Sequence, residues 1–68
     1  MAIKVFVKEI RSFQGISQRQ LAKLIGISRT HLQDIESGES GTSVEIGLKL
    51  ALVLKVDINE LFKLDMSN

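Results

Sequence analysis

The sequence predicts an all-α domain of five helices, and three observations carry that reading. Helix-start signals recur along the chain: Ser17 with Gln20, Ser28, Thr42 (boxed with Glu45) or Ser43, and Asp57 with Glu60. In a capping box the first side chain accepts a backbone N–H in the first turn and the second reaches back to another. Between those signals the apolar residues return every three or four positions, the spacing of one buried helix face. Gly15, Gly26 and Gly38 fall where helices must end, and no segment is read as a strand.

The first helix is expected over residues 2–14. Ile3, Phe6 or Val7, and Ile10 form its inward stripe, while Lys4, Lys8 and Arg11 fall away from it. Val5 and Phe13 lie off the stripe and are read as exposed apolar residues. Gln14-Gly15 ends the helix. The next segment, from Gln18 to Glu36, reads QRQLAKLIGISRTHLQDIE and organises the chain. Its first helix, QRQLAKLI, turns Leu21, Ala22 and Ile25 inward; its second, RTHLQDIE, does the same with Leu32 and Ile35. Ile16 with Leu21, and Ile27 with Leu32, are spaced as hydrophobic staples at the starts of these helices. Gly26 can take the left-handed conformation that stops one helix and re-aims the chain into the next. Two helices around a glycine turn make a helix-turn-helix.

Residues 37–42, SGESGT, are loop-like. They lack the lysine and spacing of a phosphate-binding loop, and Glu39 would repel phosphate. A fourth helix follows over roughly residues 43–54, with Val44, Leu48 and Ala51 facing inward, joined by Leu50 and Leu54. Ile46, Leu52 and Val53 are then a surplus suited to an interface. Gly47 inside this helix costs on the order of 1 kcal/mol against alanine, which implies close approach by another backbone. Asp57 opens the last helix, with Val56 and Leu61 as its staple. Leu61, Phe62 and Leu64 are expected to close the core, and residues 65–68 to fray.

Composition narrows the function. The chain has 68 residues, 44% of them apolar, with no cysteine and no proline, so a single domain over residues 1–68 is expected, held by neither disulfides nor thiolate-bound metal. No apolar run approaches the ~20 residues of a membrane span, and charges interrupt any signal-like N-terminus, so the expected location is the cytoplasm. One histidine, no cysteine and little volume for a cleft argue against an enzyme. His31, the single histidine, has no second ligand spaced for it and is read as a flanking residue rather than a metal site. No cofactor or small-molecule ligand is expected. The net charge of +1 conceals a split: residues 1–35 hold six bases against two acids, and residues 36–68 hold three against six. The basic half contains the helix-turn-helix, as a polyanion-binding surface requires.

Together, Ile10-Arg11, G-I-S-Q at 15–18, L-A-K-L-I-G-I-S at 21–28, L-Q-D-I-E at 32–36, Gly38, L-K-L-A at 48–51, and Ile58 with Leu61-Phe62 form a specific pattern. By it the chain resembles the phage-repressor/Cro, or xenobiotic-response-element, family of helix-turn-helix regulators over residues 3–62. The resemblance implies a five-helix, lambda-repressor-like domain whose third helix, about 29–36, lies in the DNA major groove. It further implies that Gln18 braces the phosphate backbone and the recognition helix, and that Ser28, Arg29, Thr30, Gln33 and Asp34 face DNA. Arg11 and Glu36 match an ion pair tying the first helix to the end of the third, with Arg11 also near phosphate. Arg19 and Lys23 complete the expected DNA-facing set. In chemical terms the Arg29 fork suits guanine O6/N7, Gln33 suits adenine N6/N7, and Asp34 suits cytosine N4 or an ion pair with Arg29 or Lys23. The loop at 38–41 carries Glu39 where that family usually has a base, which predicts a weaker backbone clamp.

The expected function is therefore a sequence-specific transcriptional regulator of double-stranded DNA, a repressor working as a homodimer on two half-sites. The other reading is a protein-interaction module of the same fold, such as the antitoxin of a toxin–antitoxin pair, favoured by the acidic loop and the apolar fourth helix.

Overall fold

The computed structural model describes residues 2–38 and 41–65. In chain order the elements are β1 (Ala2–Val5), α1 (Val7–Phe13), α2 (Gln18–Ile25), α3 (Arg29–Ser37), α4 (Val44–Leu54), α5 (Ile58–Leu61) and β2 (Phe62–Asp65). Five helices surround one core, and a two-stranded ribbon joins the two ends of the described chain.

The serine caps form as expected. Ser17 Oγ accepts the Gln20 N–H at 3.0 Å while Gln20 Oε1 accepts the Ser17 N–H at 2.9 Å, closing the box that opens α2. Ser28 Oγ accepts the His31 N–H at 3.0 Å and opens α3. Gly26, at φ 77°, ends α2 in the left-handed region, and Gly38, at φ 80°, does the same for α3. Every helix then contributes to one core: Val7 from α1, Leu21, Ala22 and Ile25 from α2, Leu32 from α3, Leu50 and Leu54 from α4, and Leu61 from α5. Gln14 adds a polar tie, its Nε2 donating to Leu54 O at 2.7 Å and satisfying a carbonyl that the end of α4 leaves open.

Several expectations are corrected. The expected helix over 2–14 starts only at Val7, because residues 2–5 are a strand paired antiparallel with Phe62–Asp65 in place of the expected helix end and tail. The domain is thus all-α only approximately. Pairing Ile3 with Leu64 and Val5 with Phe62 puts these four side chains on one face of the ribbon. Val5, expected at the surface, packs on the core with Phe62, whereas Ile3 and Leu64, both expected inside, are exposed. Phe13 is exposed as expected.

The inward face of α4 is also rotated from expectation. Val44 and Leu48, expected inside, are exposed, whereas Ile46 and Val53, two of the expected surplus, pack against the core; Leu52, the third, is exposed as expected. An almost wholly apolar helix leaves its orientation to its neighbours, and one of them, Ile58, meets it at Gly47. A Cβ there would lie 3.0 Å from Ile58 Cδ1, so the close approach is made by a side chain of α5 rather than by backbone. Of the two expected caps of α4, Thr42 and Ser43, it is Ser43 that forms, its Oγ accepting the Ile46 N–H at 3.2 Å. Thr42 Oγ1 is instead sealed from solvent without a hydrogen-bond partner among the described residues. Of the loop at 38–41, residues 39 and 40 lie outside the described residues, as do 66–68 of the expected tail.

Candidate nucleic-acid interface

Leu32 and Ile35 anchor α3, both essentially without solvent exposure. Anchoring that side leaves the opposite one outward: Arg29, Thr30 and Gln33 are exposed, and Asp34 is half-buried. Ser28 stands at the same end, its hydroxyl oxygen engaged as the cap of the helix. The first turn of α3 therefore offers a positive dipole end beside a guanidinium, a hydroxyl and an amide.

A chain of hydrogen bonds holds this face in place. Arg29 Nε donates to Gln18 Oε1 at 3.2 Å, and Gln18 Nε2 donates to Glu36 Oε1 at 2.9 Å. One amide at the start of α2 thus grips both ends of α3. Glu36 in turn accepts from Arg11, whose Nε lies 2.7 Å from Oε2 and whose terminal nitrogen lies 3.2 Å from Oε1. The two side chains are only 11% and 5% exposed, so this bidentate pair is a buried brace between α1 and α3. Arg11 also donates to Ile16 O at 3.3 Å, which spends a further N–H inside the fold. The expectation that Arg11 serves phosphate as well is not supported by this placement: its guanidinium is committed to Glu36.

Arg29 differs. Its terminal amino groups make no hydrogen bond among the described residues, so the fork remains free while Nε fixes its direction. Arg19 and Lys23 are exposed four residues apart on one side of α2. Asp34 forms no ion pair with Arg29 or Lys23; the ion pairs among the described residues are Lys4–Asp65, Arg11–Glu36 and Lys49–Glu45. No group of three or more metal-ligating side chains occurs among the described residues, and no helix is long and apolar enough to cross a membrane.

Two glycine-stopped helices, the second presenting an exposed polar face stapled to the first through a glutamine, match a known pattern. The helix-turn-helix family model fits residues 7–61, most of the chain. The protein belongs to the helix-turn-helix family of the Cro/C1 type. It is 34% identical over 55 residues to the ImmF control region 10 kDa protein of Bacillus phage phi105, a match covering 81% of this chain and 61% of that one. Among solved structures, the restriction-modification controller protein C.AhdI from Aeromonas hydrophila superposes with a TM-score of 0.76 at 38% identity, covering 82% of this chain and 85% of that one. SinR, the master regulator for biofilm formation, solved in complex with DNA, gives 0.71 at 28% identity over 78% of this chain and 86% of that one. Members of this family are transcriptional regulators rather than enzymes.

The polar face of α3 was legible from the spacing of Leu32 and Ile35. The link from Arg29 through Gln18 to Glu36 was not, because it joins residues 11 and 18 positions apart.

Proposed function

We propose that this protein is a sequence-specific reader of double-stranded DNA that regulates transcription, as a repressor, by occupying an operator in the cytoplasm. The carrying observation is that α3 is anchored by Leu32 and Ile35 while a pre-oriented Arg29 fork, Thr30 and Gln33 stand outward on one helix end. In this reading α3 lies in the major groove, with Arg29 on guanine and Gln33 on adenine. Asp34, without an ion-pair partner among the described residues, takes the cytosine-reading role rather than the charge-pairing one. Gln18, Ser28, Arg19 and Lys23 lie where phosphates flank that groove. The DNA complex of SinR, a relative of the same fold, supports the reading. A module this small reads few base pairs, so the working unit is a homodimer on two half-sites about one helical turn apart.

Selection of bound duplexes from a random pool, followed by titration at several salt concentrations, tests this. We expect one enriched half-site and an affinity that falls linearly in log–log form with salt. Enrichment of no sequence, with no binding even at low ionic strength, would leave the protein-interaction reading in its place.

A further inference from the structure

The ribbon's apolar face runs past the body that it covers. Val5 and Phe62 rest on the core, but their neighbours on the same face, Ile3 and Leu64, project with 61% and 62% of their surface exposed. Ile3 also borders a groove of about 410 Å³, whose apolar wall is Val5, Val44, Ile58 and Phe62 with Gly47 between them and whose polar lining includes Ser43 and Asn59. Because Gly47 has no side chain, Ile58 lies against the backbone of α4, and a Cβ there would push it outward.

An apolar projection next to an apolar recess on one molecule is what a two-fold contact between identical chains needs, since each copy's projection can enter the other's recess. We propose that a second copy of this chain docks here, with Ile3 and Leu64 of each protomer seated in the groove of the other. The proposal rests on the homodimer reading above and assigns its interface.

Charge placement favours the same occupant. By strand alternation Lys4, Lys63 and Asp65 fall on the ribbon's other face, where Lys4 Nζ lies 3.7 Å from Asp65 Oδ2 and Lys63 Nζ lies 5.2 Å from the Phe6 ring centroid. Two copies can therefore close their apolar faces without desolvating a charge of the described residues. The exposed stripe of α4, Val44, Leu48 and Leu52, is the competing surface. The hollow beside it is lined by Leu48, Ala51, Leu52 and Val56 but also by Lys55, Asp57 and Glu60, so a copy seated there would cover three charges along with the apolar surface.

Sedimentation of the full chain without DNA, with folding checked by circular dichroism, decides between them. We expect a wild-type dimer whose dissociation constant rises about 100-fold in Leu64→Glu, because a charge then enters an apolar contact twice per dimer. Ile3→Glu should do the same and stands in if Leu64→Glu does not fold, while Leu52→Glu should leave the dimer intact. A dimer that persists in both ribbon variants, or is lost in Leu52→Glu alone, overturns this interface but leaves the homodimer reading. A wild-type monomer at high micromolar concentration overturns both. Neither result touches the DNA reading, which the salt titration tests separately.

Discussion

Glu36 is the polar residue that ties α3 to α1 and α2. Its carboxylate accepts from Arg11 and Gln18, and it is nearly buried. Truncating Arg11 to alanine would strand that carboxylate with only the amide of Gln18, and breaking a buried pair this way costs about 3–5 kcal/mol. Arg11→Ala should therefore lower the urea midpoint sharply, approaching loss of the fold in a domain whose single core supplies only ~3–5 kcal/mol. Affinity per folded molecule is the control, since a direct phosphate contact would reduce it without moving the midpoint. Arg29 should behave in the opposite sense. It is exposed and its fork is free, so Arg29→Ala should leave thermal stability unchanged while weakening the preferred duplex by about 1–3 kcal/mol and a scrambled duplex hardly at all. Lys23→Ala, by contrast, should weaken all duplexes alike and flatten the salt slope by about 1 per chain. Anisotropy titrations on the two duplexes at two salt concentrations separate these outcomes. At this scale the sequence was informative about side-chain type and poor about pairing: Arg11 and Glu36 are 25 positions apart, and family resemblance rather than spacing joined them.

Among the elements, α2 and α3 were the most legible because their signals are local. A serine cap, two or three inward apolar residues and a left-handed glycine lie within about ten residues of one another in each case. The ribbon was missed for the opposite reason. Ile3-Lys4-Val5 and Phe62-Lys63-Leu64-Asp65 do alternate apolar with charged, but each run is too short to outweigh a helical reading. Their partner strands lie at opposite ends of the chain, so only the folded helices bring them together. α4 was half legible: its capping and length are local, but a helix apolar on nearly every side takes its orientation from Ile58 and the core. Its end carries strain that no pattern announced. Lys55 caps α4 at φ 58°, the one non-glycine residue with positive φ among the described residues. The left-handed region costs an L-residue roughly 1–2 kcal/mol, part of which glycine recovers against its greater freedom in the unfolded chain. Lys55→Gly should thus raise stability by about 0.5–1 kcal/mol, read as a higher denaturant midpoint at unchanged slope.

For the whole molecule, the consequence of an interface at the ribbon is geometric. A two-fold dimer with apolar projections locked into grooves holds its two α3 helices at one separation and one relative rotation, because neither ribbon nor helix bundle has a long linker between the interface and the reading face. Duplex DNA turns once in about 10–10.5 base pairs, so two half-sites are presented to such a dimer only at one phase of the helix. Inserting about 5 base pairs between selected half-sites rotates the second to the far side of the duplex. Affinity should then fall to that of a single half-site, and the salt slope should drop by about half as one protomer's phosphate contacts are lost. Deleting the second half-site altogether should give the same affinity as the insertion. Copies that bound independently would instead tolerate the insertion without loss. Anisotropy titrations of the native-spaced, inserted and single-site duplexes distinguish the two behaviours, and Leu64→Glu, expected to dissociate the proposed dimer, should make all three duplexes equivalent per site.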